Sequence, residues 1–220
     1  MSEKTYFIAF EGIDGCGKDT QLHKLVEAIK EDDNYPFGNK YSNIWVTREP
    51  TKITISGETI AKLLREKEVS GKDAANYFVK DRIEHSKMIK DILKHSHVLI
   101  SRYDLSTLSY QMTQGMSFDE LYNMHKYGKE EGCIIPDITL IFDLPVKIAF
   151  ERMAKRNSET EFFEKVEFQN KLKENLSFCI KELEKRDKRK IIIINANQSK
   201  ENVTKEMNEK ISNYLKSKEK

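Results

Sequence analysis

The chain predicts an α/β protein, an open and mostly parallel five-stranded sheet with helices on both faces. Three observations carry this reading. Five short apolar runs recur along the 220 residues. Long stretches of helical periodicity separate them. Three of only nine glycines fall between positions 12 and 17, directly after the first run.

The first run, Tyr6-Phe7-Ile8-Ala9-Phe10, is nearly continuous in its apolar character, as a strand buried on both faces requires. Residues 43–47, 97–101, 138–143 and 191–194 form the other four strands, the fourth introduced by Pro136. Leu22, Leu25, Val26 and Ile29 repeat at i, i+3, i+4 and i+7 and predict a helix after the glycines. Residues 72–95, 146–156, 159–185 and 199–217 read as further helices. Such sheets bind ligands beyond the C-terminal ends of their strands, so chemistry is expected just after each run.

Composition narrows the function. There are 38 basic and 36 acidic residues, a net charge of +2 with the signs interleaved. No basic field suited to nucleic acid results. No apolar run approaches the length of a membrane span, and the N-terminus lacks the pattern of a signal peptide. Cys16, Cys133 and Cys179 form no CxxC pair, which suits a reducing, cytoplasmic setting. Cys16 reads as a small spacer. The chain is expected to be one domain spanning 1–220.

After the first strand comes Glu11-Gly12-Ile13-Asp14-Gly15-Cys16-Gly17-Lys18-Asp19-Thr20, which matches GxxxxGK at Gly12, Gly17 and Lys18. Strand, glycine turn and amphipathic helix form the context in which backbone N–H groups curl around phosphate oxygens. Lys18 supplies a mobile charge for the β- and γ-phosphates. This predicts the P-loop NTPase three-layer fold. The second strand ends in Thr47-Arg48-Glu49-Pro50, where Arg48 can fork onto a phosphate or pair with Glu49. The third ends in Ser101-Arg102-Tyr103-Asp104, followed by Ser106, Thr107, Tyr110 and Gln111. Phe78 and Arg82 share a helix face at i, i+4 and can hold a base by stacking and a hydrogen bond; Phe78 alone would read as core. His85 reads as an ordinary histidine. Arg152, Lys155 and Arg156 precede an acidic-aromatic stretch, so residues 152–167 read either as a helical lid or as a solvated helix.

Taken together, FxxFEGIDGxGKxTQ at 7–21, TREP at 47–50, FxxxR at 78–82, RYDLSTxxYQ at 102–111, PDxTLxxDLP at 136–145 and INANQSxENV at 194–203 resemble the thymidylate kinase family of P-loop nucleoside monophosphate kinases. The resemblance implies that ATP with Mg²⁺ phosphorylates dTMP. It implies that the loop from Gly12 through Gly15, Cys16, Gly17, Lys18, Asp19 and Thr20 holds ATP. Lys18, Asp14, Arg102, Arg152 and Arg156 become the catalytic set. Arg48 and Arg102 grip the acceptor phosphate, with Asp14 nearby. Phe78 stacks on the pyrimidine, Arg82 and Thr107 read its edge, and Ser106 and Gln111 belong to the same acceptor segment. Tyr110 lies beneath the sugar and disfavours a 2′-hydroxyl. Residues 195–199 receive adenine, and a homodimer is expected.

The chain departs from the family pattern at three places. Ser101 stands where the family usually has Asp, and Asp19 where it often has Ser or Thr. A reciprocal exchange would keep one carboxylate and one hydroxyl near the cation. Gly15 and Phe162 stand where the family places a catalytic Arg. Charge neutralisation would then fall to Arg152, Arg156 or Lys165. Two other functions fit the residues: a deoxynucleoside kinase with Glu49 as base, and a nucleotide-binding regulator with little turnover.

Overall fold

The computed structural model describes residues 4–32, 35–36, 38–39, 42–66, 69–154 and 162–218, without the side chains of 154, 162–165 and 218. The strands are β1 (Phe7–Glu11), β2 (Ile44–Arg48), β3 (His97–Ser101), β4 (Ile138–Asp143) and β5 (Ile191–Asn195). They lie in the order β2-β3-β1-β4-β5, and every pairing is parallel. The sheet is therefore parallel throughout.

The double-sided burial inferred for the first strand has a direct cause. Ile8 and Phe10 point into one core with Leu22, Leu25 and Ile29 of α1 (Lys18–Glu31). Phe7 and Ala9 point into a second core with Ile89 of α3 (Gly71–Ile92) and with Val98, Ile100 and Tyr103. Two cores on opposite faces make the three layers. On the first face α6 (Val146–Ala154), α7 (Phe162–Asp187) and α8 (Lys200–Lys218) complete the layer.

Three helices escape the periodicity reading: α2 (Ile55–Glu66), α4 (Asp104–Thr113) and α5 (Phe118–Glu130). In α4 the buried face is largely polar, with Thr107, Ser109, Gln111 and Thr113 all enclosed, so no apolar stripe marks it. α5 carries its own start signal, because Ser117 and Glu120 form a reciprocal capping box.

The topology fixes where the site lies. β1 and β3 are neighbours, with Phe10 opposite Ser101. The chain leaves β1 into the glycine loop and leaves β3 into α4, so both motifs open from the same edge of the sheet. α7 runs beside α4, with Phe168 against Tyr110 and Asn175 Nδ2 donating to Thr113 Oγ1 at 3.0 Å. The residues 155–161, which include Lys155 and Arg156 of the expected lid, lie outside the described residues. So does the side chain of Lys165.

Candidate active site

The glycine loop takes backbone angles that side chains rarely adopt. Gly12 has φ 143° and Gly15 has φ 80°. A Cβ at Gly12 would sit 2.8 Å from the Phe142 carbonyl oxygen; one at Gly15 would sit 2.7 Å from that of Ala149. Position 15 therefore has no room for an Arg side chain. Cys16 is buried, and that burial raises its thiol above the ordinary value, as a spacer requires. Gly17 precedes α1, whose first turn carries Lys18, Asp19 and Thr20, the last two exposed.

Lys18 is buried and its Nζ lies 4.0 Å from Asp14 Oδ1. Asp14 is the meeting point of the two motifs. Its Oδ1 accepts a close bond from Arg102 Nη2, and its Oδ2 accepts from Tyr110 Oη at 2.7 Å. Burial pushes this carboxyl up, but the charges of Arg102 and Lys18, with the Tyr110 hydroxyl, outweigh it and hold it below the ordinary value. Arg102 also donates to Ser106 Oγ at 3.2 Å and stacks 5.1 Å from the Tyr110 ring centroid.

Arg102 sits in the left-handed region, with φ 64°. Two neighbours of β1 secure this turn. The Arg102 amide donates to the Phe10 carbonyl at 3.0 Å. Glu11, fully buried, accepts from the amides of Tyr103 (2.7 Å) and Ser106 (3.1 Å) and from the Ser106 hydroxyl (2.5 Å). It thereby caps the free N–H groups at the start of α4. Sequence reasoning gave Glu11 no role, although it stands directly before Gly12.

A cavity of about 260 Å³ opens beside this cluster. Asp14, Arg102, Ser106, Thr107, Tyr110 and Gln111 line it together with Phe78, Arg82, Glu49 and Leu64. Phe78 is half-buried and faces this space rather than the core. Gln111 donates through Nε2 to Gln114, while its buried Oε1 has no partner.

Arg82 is enclosed and held from three directions. Its Nε donates to Glu49 Oε2 (2.8 Å), its Nη1 to His125 Nε2 (3.1 Å) and its Nη2 to Thr107 Oγ1 (3.0 Å). The His125 Nδ1–H donates to the Leu121 carbonyl at 2.7 Å, which leaves Nε2 free to accept. Burial, with the Arg82 charge adding to it, lowers His125 to about 4, so the ring is neutral. Glu49 takes His85 Nδ1 on its other oxygen at 3.2 Å. Both Glu49 oxygens are thus engaged, one by Arg82 and one by His85, and Glu49 also lines the cavity. The pairing of Glu49 is with Arg82 and His85, not with Arg48.

The remaining sequence-predicted residues lie around this centre. Arg48 is exposed at the end of β2, opposite Ser101 in register, with no ion pair among the described residues. The Ser101 hydroxyl makes a close bond to Asp19 Oδ1. Arg152 donates to the Ala196 carbonyl at 3.0 Å, in the loop after β5, and does not join the Asp14 cluster.

A phosphate loop aimed at an arginine-lined cavity across one sheet edge defines a P-loop phosphotransferase. The sequence model of the thymidylate kinase family, described as "Thymidylate kinase", matches residues 10–207. A probable thymidylate kinase of Methanococcus maripaludis strain S2 is 40% identical over 168 residues, covering 76% of this chain and 74% of its own. Those of Thermococcus onnurineus and Methanococcus aeolicus are 36% and 34% identical, over 77% and 93% of this chain and 81% and 95% of their own. This chain belongs to the thymidylate kinase family.

Proposed function

We propose that the chain transfers the γ-phosphoryl group of ATP to dTMP, giving ADP and dTDP. The observation that carries this is Asp14, tied to Arg102 and Tyr110 on the cavity side and 4.0 Å from Lys18 on the loop side. One anion arrives from each side of that cluster. The nucleophile is a phosphate oxygen of dTMP, already anionic at neutral pH, so no base is needed. Catalysis is alignment and charge stabilisation. The loop amides and Lys18 hold the ATP phosphates. Arg102 and the exposed Arg48 bind the acceptor phosphate. Phe78 stacks on the base, and Arg82, Thr107 and Gln111 lie at its edge. Tyr110 packs beneath the sugar.

The donor set near the loop suits Mg²⁺, which accepts one or two protein oxygens beside nucleotide phosphates and water. Asp19 and Ser101 would hold it, and the ion would neutralise charge on the phosphates. By likeness to the family, Arg152 belongs to the lid of the kinase domain. No helix among the described residues is long and apolar enough to cross a membrane. The buried free thiols of Cys16 and Cys179 fit a cytoplasmic setting. A homodimer follows from the family likeness alone and is measurable by light scattering.

The likeness to the thymidylate kinase family favours a monophosphate acceptor over a deoxynucleoside. A coupled ADP-release assay with Mg²⁺ tests the reading on dTMP, thymidine and a panel of nucleoside monophosphates. ADP release with dTMP and none with thymidine is expected. Release with thymidine alone, or with no acceptor, overturns it.

A further inference from the structure

Arg189 and Asp104 form a buried two-pronged ion pair that makes no direct contact with the loop among the hydrogen bonds of the described residues. Arg189 Nη1 donates to Asp104 Oδ1 at 3.1 Å, and Nη2 makes a close bond to Oδ2. Both side chains are almost entirely enclosed. Asp104 opens α4, two residues after Arg102. Arg189 follows α7 by two residues, past a second left-handed turn at Lys188 with φ 52°. Arg102 and Lys188 are the only non-glycine residues with positive φ among the described residues. Each unfavourable turn therefore adjoins one member of the same pair. The far end of α7 is also anchored, because Asp187 accepts from Tyr122 Oη (2.8 Å) and Lys129 Nζ (2.6 Å) of α5.

Stability alone does not account for such a pair. Burying two charges forfeits their hydration, and an apolar pair of similar volume commonly does as well or better. This pair is also imperfect: the buried Arg189 Nε makes no hydrogen bond and reaches only a 3.6 Å ion contact with Asp187 Oδ2. An apolar contact lacks direction, whereas a guanidinium fork fixes both the distance and the rotation of the carboxylate it grips. The group whose orientation is fixed here is the first turn of α4, which also carries Ser106 and Thr107, with Tyr110 in the turn that follows.

We propose that Arg189 is a positioning residue for the acceptor grip: through Asp104 it holds the first turn of α4, and with it the turn that aims Arg102 at Asp14. The proposal rests on the reading that Arg102 binds the acceptor phosphate. Glu11 secures the same turn from the β1 side, and Arg189 supplies a second hold from the turn after α7.

The test is a set of variants assayed for dTMP and ATP kinetics and for Tm. The apolar pair Asp104→Leu with Arg189→Met is expected to melt near the wild type. Its KM for dTMP should rise roughly 10- to 100-fold while KM for ATP stays within about twofold. Arg189→Lys should recover part of the loss. Because Arg189 acts through Arg102, Arg189→Met should add little in an Arg102→Met background. Unchanged dTMP kinetics in the apolar pair, equal losses for both substrates, or full additivity with Arg102→Met would each overturn the proposal. Should the apolar pair fail to fold, Arg189→Lys and the cycle with Arg102→Met decide by the same criteria. A failure of the underlying reading is separate: Arg102→Met alone would then leave dTMP kinetics unchanged.

Discussion

The Ser101 hydroxyl at the end of β3 bonds directly to the Asp19 carboxylate in the first turn of α1. Two positions 82 residues apart in sequence thus share one polar corner beside the phosphate loop. A carboxylate and a hydroxyl are both present there, with their carriers reversed relative to the family pattern. Asp19→Ser and Ser101→Asp should each raise the half-activating Mg²⁺ concentration roughly tenfold. The double variant should return close to the wild type. Mg²⁺ titration of ADP release, with Mn²⁺ resonance in the presence of ADP, measures both; a double variant no better than the worse single one rejects the exchange.

Glu49 is a structural counter-ion in this molecule. Glu49→Gln leaves Arg82 buried beside a neutral amide, which should cost about 3 kcal/mol of stability. It should also raise KM for dTMP, because Arg82 loses its orientation. Urea denaturation and steady-state kinetics check the two effects. Thymidine should remain unphosphorylated by wild type and variant alike.

His125 predicts a pH dependence of stability. Its folded value of about 4 lies below the ordinary 6.5, so the unfolded chain binds the proton first. Its contribution is complete above pH 6.5 and is lost as pH falls toward 4, about 3 kcal/mol in all. His125→Phe removes this dependence along with the acceptor for Arg82. Denaturation midpoints between pH 4 and 7 should fall less steeply for the variant, by about one proton.

Gly15 closes the loop to the arginine that the family carries in one of two places. Gly15→Arg should lower both Tm and turnover, because its Cβ would press on the Ala149 carbonyl in a backbone with φ 80°. A rate gain in the ADP-release assay would show instead that the loop yields.

The strands, the glycine loop and α1 were legible because their signals are local: continuous apolar runs, a glycine cluster and a 3.6-residue repeat. α5 carries a local signal too, the capping pair Ser117 and Glu120. α4 gave no such sign, since its enclosed face serves a site and is polar for that reason. The holders of the site were hidden for a different cause. Glu11, His125 and Arg189 act on groups 95, 43 and 85 residues away, and no pattern in one sequence marks such pairs. Arg82 was read as a base-edge donor from its spacing to Phe78. That spacing did not reveal that three of its nitrogens are already engaged.

Glu11 belongs to the strand that launches the phosphate loop, yet its carboxylate closes the helix that carries the acceptor residues. Donor and acceptor halves are spliced at one side chain. A grafted loop will hold the acceptor helix only if it brings a carboxylate at position 11, because the seam runs through the protein at Glu11 and not between the two modules.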